Sequence, residues 1–224
     1  MEPSRDSAPP GVSPRFWALL TPEHLEGAEV LDVGTGAGRL ALALARHSRR
    51  VVGIDREPAL VAEARAHAAT AGLANAVFAV ADADVVDYTT PAPEVRIQPD
   101  LVVAHLFLSD ALIASASRAL APGKTLAFVG FHVDQWRETG RPSRFAWDES
   151  RVGRRLDECG FDAEHLELDR EVQRFDSVEE GLAAAIGLAE RWKADGRWFR
   201  YIKFLEEGGR TLTRSHLIVR ARRT

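Results

Sequence analysis

The chain has 224 residues, a net charge of -4, and hydrophobic and charged fractions of 46% and 28%. That is enough chain to bury a sizeable core in one domain, and the negative balance argues against a nucleic-acid binder working through overall positive charge. The lone Cys159 excludes an internal disulfide and a zinc cluster built from thiolates, and the longest apolar run, 101–108, is far short of the ~20 residues of a membrane span.

Residues 1–14 are rich in Pro, Ser and charge and read as a disordered tail, leaving 15–224 as a single domain. No apolar signal core stands at the N-terminus, so a cytoplasmic protein is expected. Residues 15–20 carry Phe16, Trp17, Leu19 and Leu20, which suit a short helix that must bury its aromatics. Thr21-Pro22-Glu23 reads as another helix start, with Pro at the first helical position. A short apolar strand over 29–33 is broken by one acid, Asp32. Gly34, Gly36 and Gly38 then remove the Cβ atoms that would keep a ligand off the backbone. Leu40, Leu42 and Leu44 among alanines make a helix. A strand, a glycine turn and a helix start with free N–H groups form a site for the polar part of a nucleotide-like ligand.

Strand and helix alternate from there. A β-branched strand over 50–54 ends in Asp55. Pro58 opens a helix to 71, with Gly72 where a C-cap belongs. Strands follow at 76–80, ending near Asp82, and at 100–105. Ser109 or Asp110 caps a helix to 120, and Pro122-Gly123 stops it before a strand over 125–131. Asp148 caps a helix ending at Cys159-Gly160, and 166–172 forms a further strand. Ser177-Val178-Glu179-Glu180 is a capping box whose helix places Val178, Leu182, Ile186, Ala189 and Trp192 on one face. A second helix spans 197–206, and 216–220 is the last strand. This alternation implies an α/β protein with a doubly wound, largely parallel sheet and its ligand at the C-terminal strand ends.

Asp32, Asp55 and Asp82 lie in or just past three successive strands, so their strand ends share one side of the crevice. An acid after the second strand can accept both hydroxyls of a ribose, one after the third can accept from the exocyclic amine of a base, and one in the first can face an ammonium. A ligand carrying an amine, a ribose and an adenine fits that order. A dinucleotide fits less well: its turn reads Gly-x-Gly-x-x-Gly, whereas here the third glycine comes one residue early and Arg39 holds its place.

With these residues the chain resembles the class I S-adenosylmethionine-dependent methyltransferases. Residues 30–38 match their first motif and Val51-Val52-Gly53-Ile54-Asp55 their second. Ala81-Asp82-Ala83 resembles the Gly-Asp-Ala after the third strand, with alanine for the first glycine. Pro99-Asp100-Leu101-Val102 resembles the start of the fourth strand and Leu120-Ala121-Pro122-Gly123 the turn before the fifth. The resemblance covers about 28–131. It implies a seven-stranded Rossmann-like sheet, mostly parallel, with an antiparallel C-terminal strand. It also implies S-adenosyl-L-methionine as cofactor and S-adenosyl-L-homocysteine as product. Carried onto this chain, it places Asp32 near the cofactor's ammonium, the turn Gly34, Thr35, Gly36 and Gly38 along its amino-acid end, and Asp55 with Arg56 at the ribose. Asp82 and the Ala83 N–H would meet the adenine, and His105 and Leu106 would lie under the methyl sulfonium. No metal is implied.

The acceptor side is less explicit. The Asn/Asp-Pro-Pro-Tyr/Phe motif of enzymes that methylate exocyclic amines or amides is absent; the fourth strand reads Ala104-His105-Leu106-Phe107. His105 and His132 are the candidate bases, each with a structural alternative. Phe16, Trp17, Trp136, Arg137 and Arg141 are the candidate acceptor wall, and the aromatic-rich segment 177–209 is expected to form a helical lid that closes the site with the N-terminal helix. The expected activity is methyl transfer to a small-molecule acceptor. Alternatives are an RNA or protein methyltransferase, given Arg210, Arg214, Arg220, Arg222 and Arg223 near the C-terminus, and a cofactor-binding module without transferase activity.

Overall fold

The computed structural model describes residues 7–20 and 25–224; the helix start expected at Thr21-Pro22-Glu23 lies outside the described residues. Helix α1 (Pro14–Leu19) precedes β1 (Glu29–Val33), α2 (Arg39–Leu44), β2 (Arg50–Asp55), α3 (Pro58–Thr70), β3 (Ala76–Val80) and β4 (Leu101–His105). Then come α4 (Asp110–Ala119), β5 (Thr125–Phe131), α5 (Glu149–Glu158) and β6 (Phe161–Arg174). Three helices, α6 (Val178–Ala185), α7 (Ala189–Asp195) and α8 (Arg197–Glu206), lead to β7 (Thr211–Arg223).

The strands form one sheet in the order β3-β2-β1-β4-β5-β7-β6. Neighbours from β3 to β5 pair in parallel, and β7 alone is reversed, antiparallel to β5 on one side and β6 on the other. This is the expected mostly parallel α/β sheet. The chain runs outward from β1 to β3 and returns to β4, so the crevice opens where β1 and β4 part.

The inner strands are buried on both faces, as helices on both sides of a parallel sheet require. Along β1, Val30 joins one core with Leu40, Leu44 and Val61, while Leu31 and Val33 join the other with Leu112, Ile113 and Leu156. Caps appear where the sequence puts them. The Ser109 Oγ accepts from the Leu112 N–H and the Asp148 carboxylate from the Arg151 N–H.

Four details differ from expectation. Of the segment read as a tail, residues 1–6 lie outside the described residues, but Val12 is buried and Ala8 packs on the same core, so ordered packing begins before Arg15. Strands β6 and β7 are much longer than 166–172 and 216–220. They pair from Phe161 opposite Arg223 to Arg174 opposite Thr211, with a register shift between Ala163 and His165. Strand β6 escapes periodicity because it is a half-solvated edge strand in which charged residues occupy seven of the fourteen positions. The long helix expected after Ser177 breaks into a 3-10 turn at Ile186–Leu188. The tighter turn changes the angular register, so Ile186 is 67% exposed while Ala185, Ala189 and Trp192 turn inward. Finally, the capping-box glutamate Glu180 reaches back to the Asp176 N–H rather than to Ser177. Among the described residues no helix is long and apolar enough to cross a membrane.

Candidate functional site

The turn after β1 is tied to β2: the Gly34 and Thr35 N–H groups both donate to the Ile54 carbonyl at 2.9 Å. Gly34 and Gly36 hold φ values of +71° and +55°, a region that L side chains rarely adopt. Gly36 faces open space, and its N–H donates to Asp55 Oδ2 at 2.8 Å, while the Glu57 N–H donates to Asp55 Oδ1 at 3.0 Å. Two backbone donors thus fix the Asp55 carboxylate and leave each oxygen a free lone pair. Gly38 does something else. A Cβ there would lie 3.0 Å from the Ala64 Cβ and 3.1 Å from the Phe78 ring. Its missing side chain lets α2 approach α3 and β3, a packing role rather than the ligand-facing one expected.

Asp32 sits behind this turn. It is 1% exposed, and Thr35 Oγ1 donates to its Oδ2 at 2.6 Å. Burial pushes its pKa up to about 7, against the lowering effect of hydrogen bonds from Thr35 and the Ala41 backbone. Neither Asp32 nor Thr35 lines the cleft in front of the turn.

That cleft, of about 260 Å³, runs across the C-terminal ends of β1 to β4. Gly34, Asp55 and Arg56 form its near end, Asp82 and Ala83 its far end, and His105 and Leu106 its side. Six of the residues singled out from the sequence as binding sites, scattered from position 34 to 105, therefore share one wall. Asp82 accepts from the Asp84 N–H at 3.0 Å, and Asp84 in turn accepts from the Ser109 Oγ at 2.7 Å. Leu106 has φ +61°, a left-handed conformation that costs a branched L-residue energy; this kink at the end of β4 turns the chain along the cleft. Behind it, Phe107 packs within 3.2 Å of where a Gly34 Cβ would stand.

The two candidate bases separate cleanly. His105 lines the cleft, and its ring lies 5.9 Å from that of Phe16. Burial, with the nearby His216 and Arg39, brings its pKa down to about 4, so the ring is neutral at pH 7. His132 is buried away from the cleft. Its Nδ1 accepts from the Asp134 N–H at 3.2 Å and lies 3.0 Å from the Ser215 Oγ, and its Nε2 lies 3.2 Å from Glu149. Both ring nitrogens are occupied in joining β5, α5 and β7, which leaves none for catalysis.

The expected acceptor wall does not assemble. Phe16 and Trp17 are buried in the core beside Leu40 and Leu44. Trp136 packs edge-on against Trp192 at 5.3 Å in a small separate core with Tyr201 and Leu205. Arg137 and Arg141 are exposed on the loop after β5. Large aromatic surfaces go where burial is greatest, and here that is under helices. The segment 177–209 reaches the cleft through Arg191, which lines it together with Phe145.

A second cavity, of about 320 Å³, lies on the other side of His105 and Leu106. Residues 11–14 cover it, Val129 lies along it, and Asp169, Glu171, Arg214 and His216 from β6 and β7 form its charged wall.

A sequence profile of the family described as methyltransferase domain matches residues 24–141, more than half of the chain. The chain belongs to the methyltransferase domain family. Among curated relatives, the match to an arsenite methyltransferase of Aquipseudomonas alcaligenes is 28% identical over 155 residues, covering 60% of this chain and 42% of that protein. A 23S rRNA (uracil(1939)-C(5))-methyltransferase of Stenotrophomonas maltophilia is 46% identical over 74 residues, covering 33% of this chain but 17% of its own length. The chain thus spans less than half of either relative. Among solved structures, the magnesium protoporphyrin IX methyltransferase of Synechocystis PCC 6803, with bound S-adenosylhomocysteine, superposes with a TM-score of 0.61 at 17% identity, covering 94% of this chain and 80% of that one. That likeness concerns the fold.

Within this methyltransferase domain, several cleft residues escaped the sequence reading. Asp84 and Ser109 stand within four residues of motif positions and were within reach of it. Phe131, Phe145 and Arg191 were not, because nothing local says which side of β5 or of an irregular helix faces the cleft.

Proposed function

We propose that the protein is an S-adenosylmethionine-dependent methyltransferase acting on a small-molecule acceptor. The observation that carries this reading is the Asp55 carboxylate, fixed by the Gly36 and Glu57 N–H groups and opening onto the same cleft as Asp82 and Ala83. A carboxylate held so can accept both hydroxyls of a ribose, and the open space at Gly36 suits the amino-acid end of the cofactor. Asp82 would accept from the adenine amine, with the Ala83 N–H toward a ring nitrogen. Asp32 serves from behind, through Thr35, by holding the turn.

When bound, S-adenosylmethionine would supply a methyl group activated on a sulfonium, with sulfur as the leaving group that keeps the electron pair and the acceptor's lone pair as nucleophile. This chain's residues contribute position, since alignment can supply most of such a rate. Leu106 and Phe107 give the cleft an apolar surface beside the glycine turn. His105, neutral at pH 7, can accept a hydrogen bond from the acceptor and orient it, while its low pKa makes it a weak proton acceptor.

The small-molecule reading is favoured over RNA by the fate of the C-terminal arginines. Arg220 and Arg222 pair with Glu164, and Arg210 and Arg223 donate to backbone carbonyls. Little of that basic run is left to meet phosphates. Calorimetry tests the donor: S-adenosylmethionine and S-adenosylhomocysteine should bind, Asp55→Ala should weaken both, and tight NADH binding instead would overturn the reading. Donor binding without methyl transfer to any small molecule would favour the binding-module alternative.

A further inference from the structure

We propose that the second cavity is the acceptor subsite and that it takes a small zwitterion, an amino-acid-like molecule whose carboxylate meets Arg214 and whose ammonium meets Glu171. The inference rests on the donor reading above, because His105 and Leu106 line both cavities and so put an occupant of the second beside the strand end that borders the donor cleft.

The argument lies in a pair left open. Strand register sets Glu171 directly opposite Arg214, so their side chains share a face and stand close enough to pair. Yet neither side chain makes a hydrogen bond or ion pair with a described residue, and both line the cavity. Of the neighbouring charges, Asp169 lies 3.7 Å from Arg15, which also pairs with Glu167, and Arg170 pairs with Asp134. Arg214 is also the one arginine of the C-terminal run without such a partner. The two imidazoles on the cavity, His105 and His216, are both pushed down in pKa, chiefly by burial, and add no charge at pH 7. What remains without an ion-pair partner is one cation and one anion on facing strands, both solvent-exposed, in a cavity that Val129 and Leu106 also line. A lone anion or cation would leave one of the two unmatched; a zwitterion satisfies both. With both charged ends held at β6 and β7, the acceptor's side chain is the part that can reach His105.

The test measures transfer of a labelled methyl group from S-adenosylmethionine to each of the common free amino acids. Any acceptor found is then retested as its methyl ester and its N-acetyl derivative. Transfer to at least one free amino acid is expected, with KM raised tenfold or more by either blocking group and by Arg214→Gln or Glu171→Gln, while S-adenosylhomocysteine affinity and the melting temperature stay unchanged. No transfer to any free amino acid by protein that binds the donor would overturn the proposal. So would equal use of the blocked derivatives. Weakened S-adenosylhomocysteine binding in Arg214→Gln would assign the cavity to the donor instead. If the unaltered protein binds no donor at all, the donor reading fails and this one falls with it, a result distinct from intact binding without transfer.

Discussion

The two halves of the sheet build their surfaces differently. From β1 to β4 the holding is done by backbone: Gly34 and Thr35 donate to Ile54, and Gly36 and Glu57 donate to Asp55. Each functional group there sits within a few residues of a turn that the local sequence announces. From β5 to β7 the surface is made by side chains brought together across long stretches of chain: Trp136 on Trp192, His132 on Ser215, Glu171 opposite Arg214. A site made of backbone needs local geometry, which glycine and strand-end patterns specify. A site made of side chains needs register, which is settled only when distant strands pair.

If the halves are as separate as this suggests, damage to one should spare the other. The largest effect expected is for Trp192→Ala. Emptying that fully buried indole from the insertion core should cost about 3–5 kcal/mol, read as lost hydrogen-exchange protection in α6 to α8, with S-adenosylhomocysteine affinity within twofold of the parent. An affinity loss matching the stability loss would break the comparison.

Asp32 tests the donor half by pH. Its folded pKa of about 7 lies above the ordinary aspartate value of 3.8. Between those values the folded chain keeps a proton that the unfolded chain has released, so stability is full at low pH and is lost as pH rises toward 7. The loss has an upper bound of about 4 kcal/mol. Asp32→Asn cannot ionise and can still accept from Thr35, so its urea-derived stability should lack that slope and exceed the parent's above pH 7. Parallel curves for the two proteins from pH 4 to 8 would refute the buried-acid account.

Gly53→Ala should act by crowding alone. A Cβ there meets the Phe78 ring at 2.6 Å and Thr35 Oγ1 at 2.7 Å, so a loss of about 1–3 kcal/mol in thermal unfolding is expected. Because Thr35 holds Asp32, donor affinity should fall too, whereas an equally destabilising change in the insertion should leave it intact. The smallest effect concerns His105. Its pKa of about 4 predicts a methyl-transfer rate independent of this ring from pH 6 to 8, falling only as the ring gains its proton below about pH 5. A rate that halves near pH 6.5 and loses that step in His105→Gln would show an unshifted imidazole.

Legibility in the sequence followed the same division. The short apolar strands β1 to β5 were readable nearly to the residue, and so were the caps Ser109, Asp148 and Ser177. Asp55, Asp82, Ala83 and His105 share one cleft, as expected, because strand-end position follows from alternation. Gly38 was misread because a glycine needed for helix packing looks the same in sequence as one needed for ligand approach. Phe16, Trp17 and Trp136 were misread as an acceptor wall for a related reason: an aromatic side chain satisfies burial in any core, and spacing does not say which. The N-terminal helix proved part of the main core, and Ile186 faced solvent because a 3-10 turn interrupted its helix.

The amino-acid sequence by itself determined the strand–turn–helix frame, the mostly parallel sheet and the glycine and acid positions around the cleft at the ends of β1 to β4. These rest on φ, strand period and helix capping, which act over a few residues. Only the tertiary structure decided the reach of β6 and β7, the burial of Asp32 behind its turn, and which of the C-terminal arginines find a partner. Whether two charges meet, part or face a cavity depends on the register of strands some 40 residues apart, and no local preference encodes that.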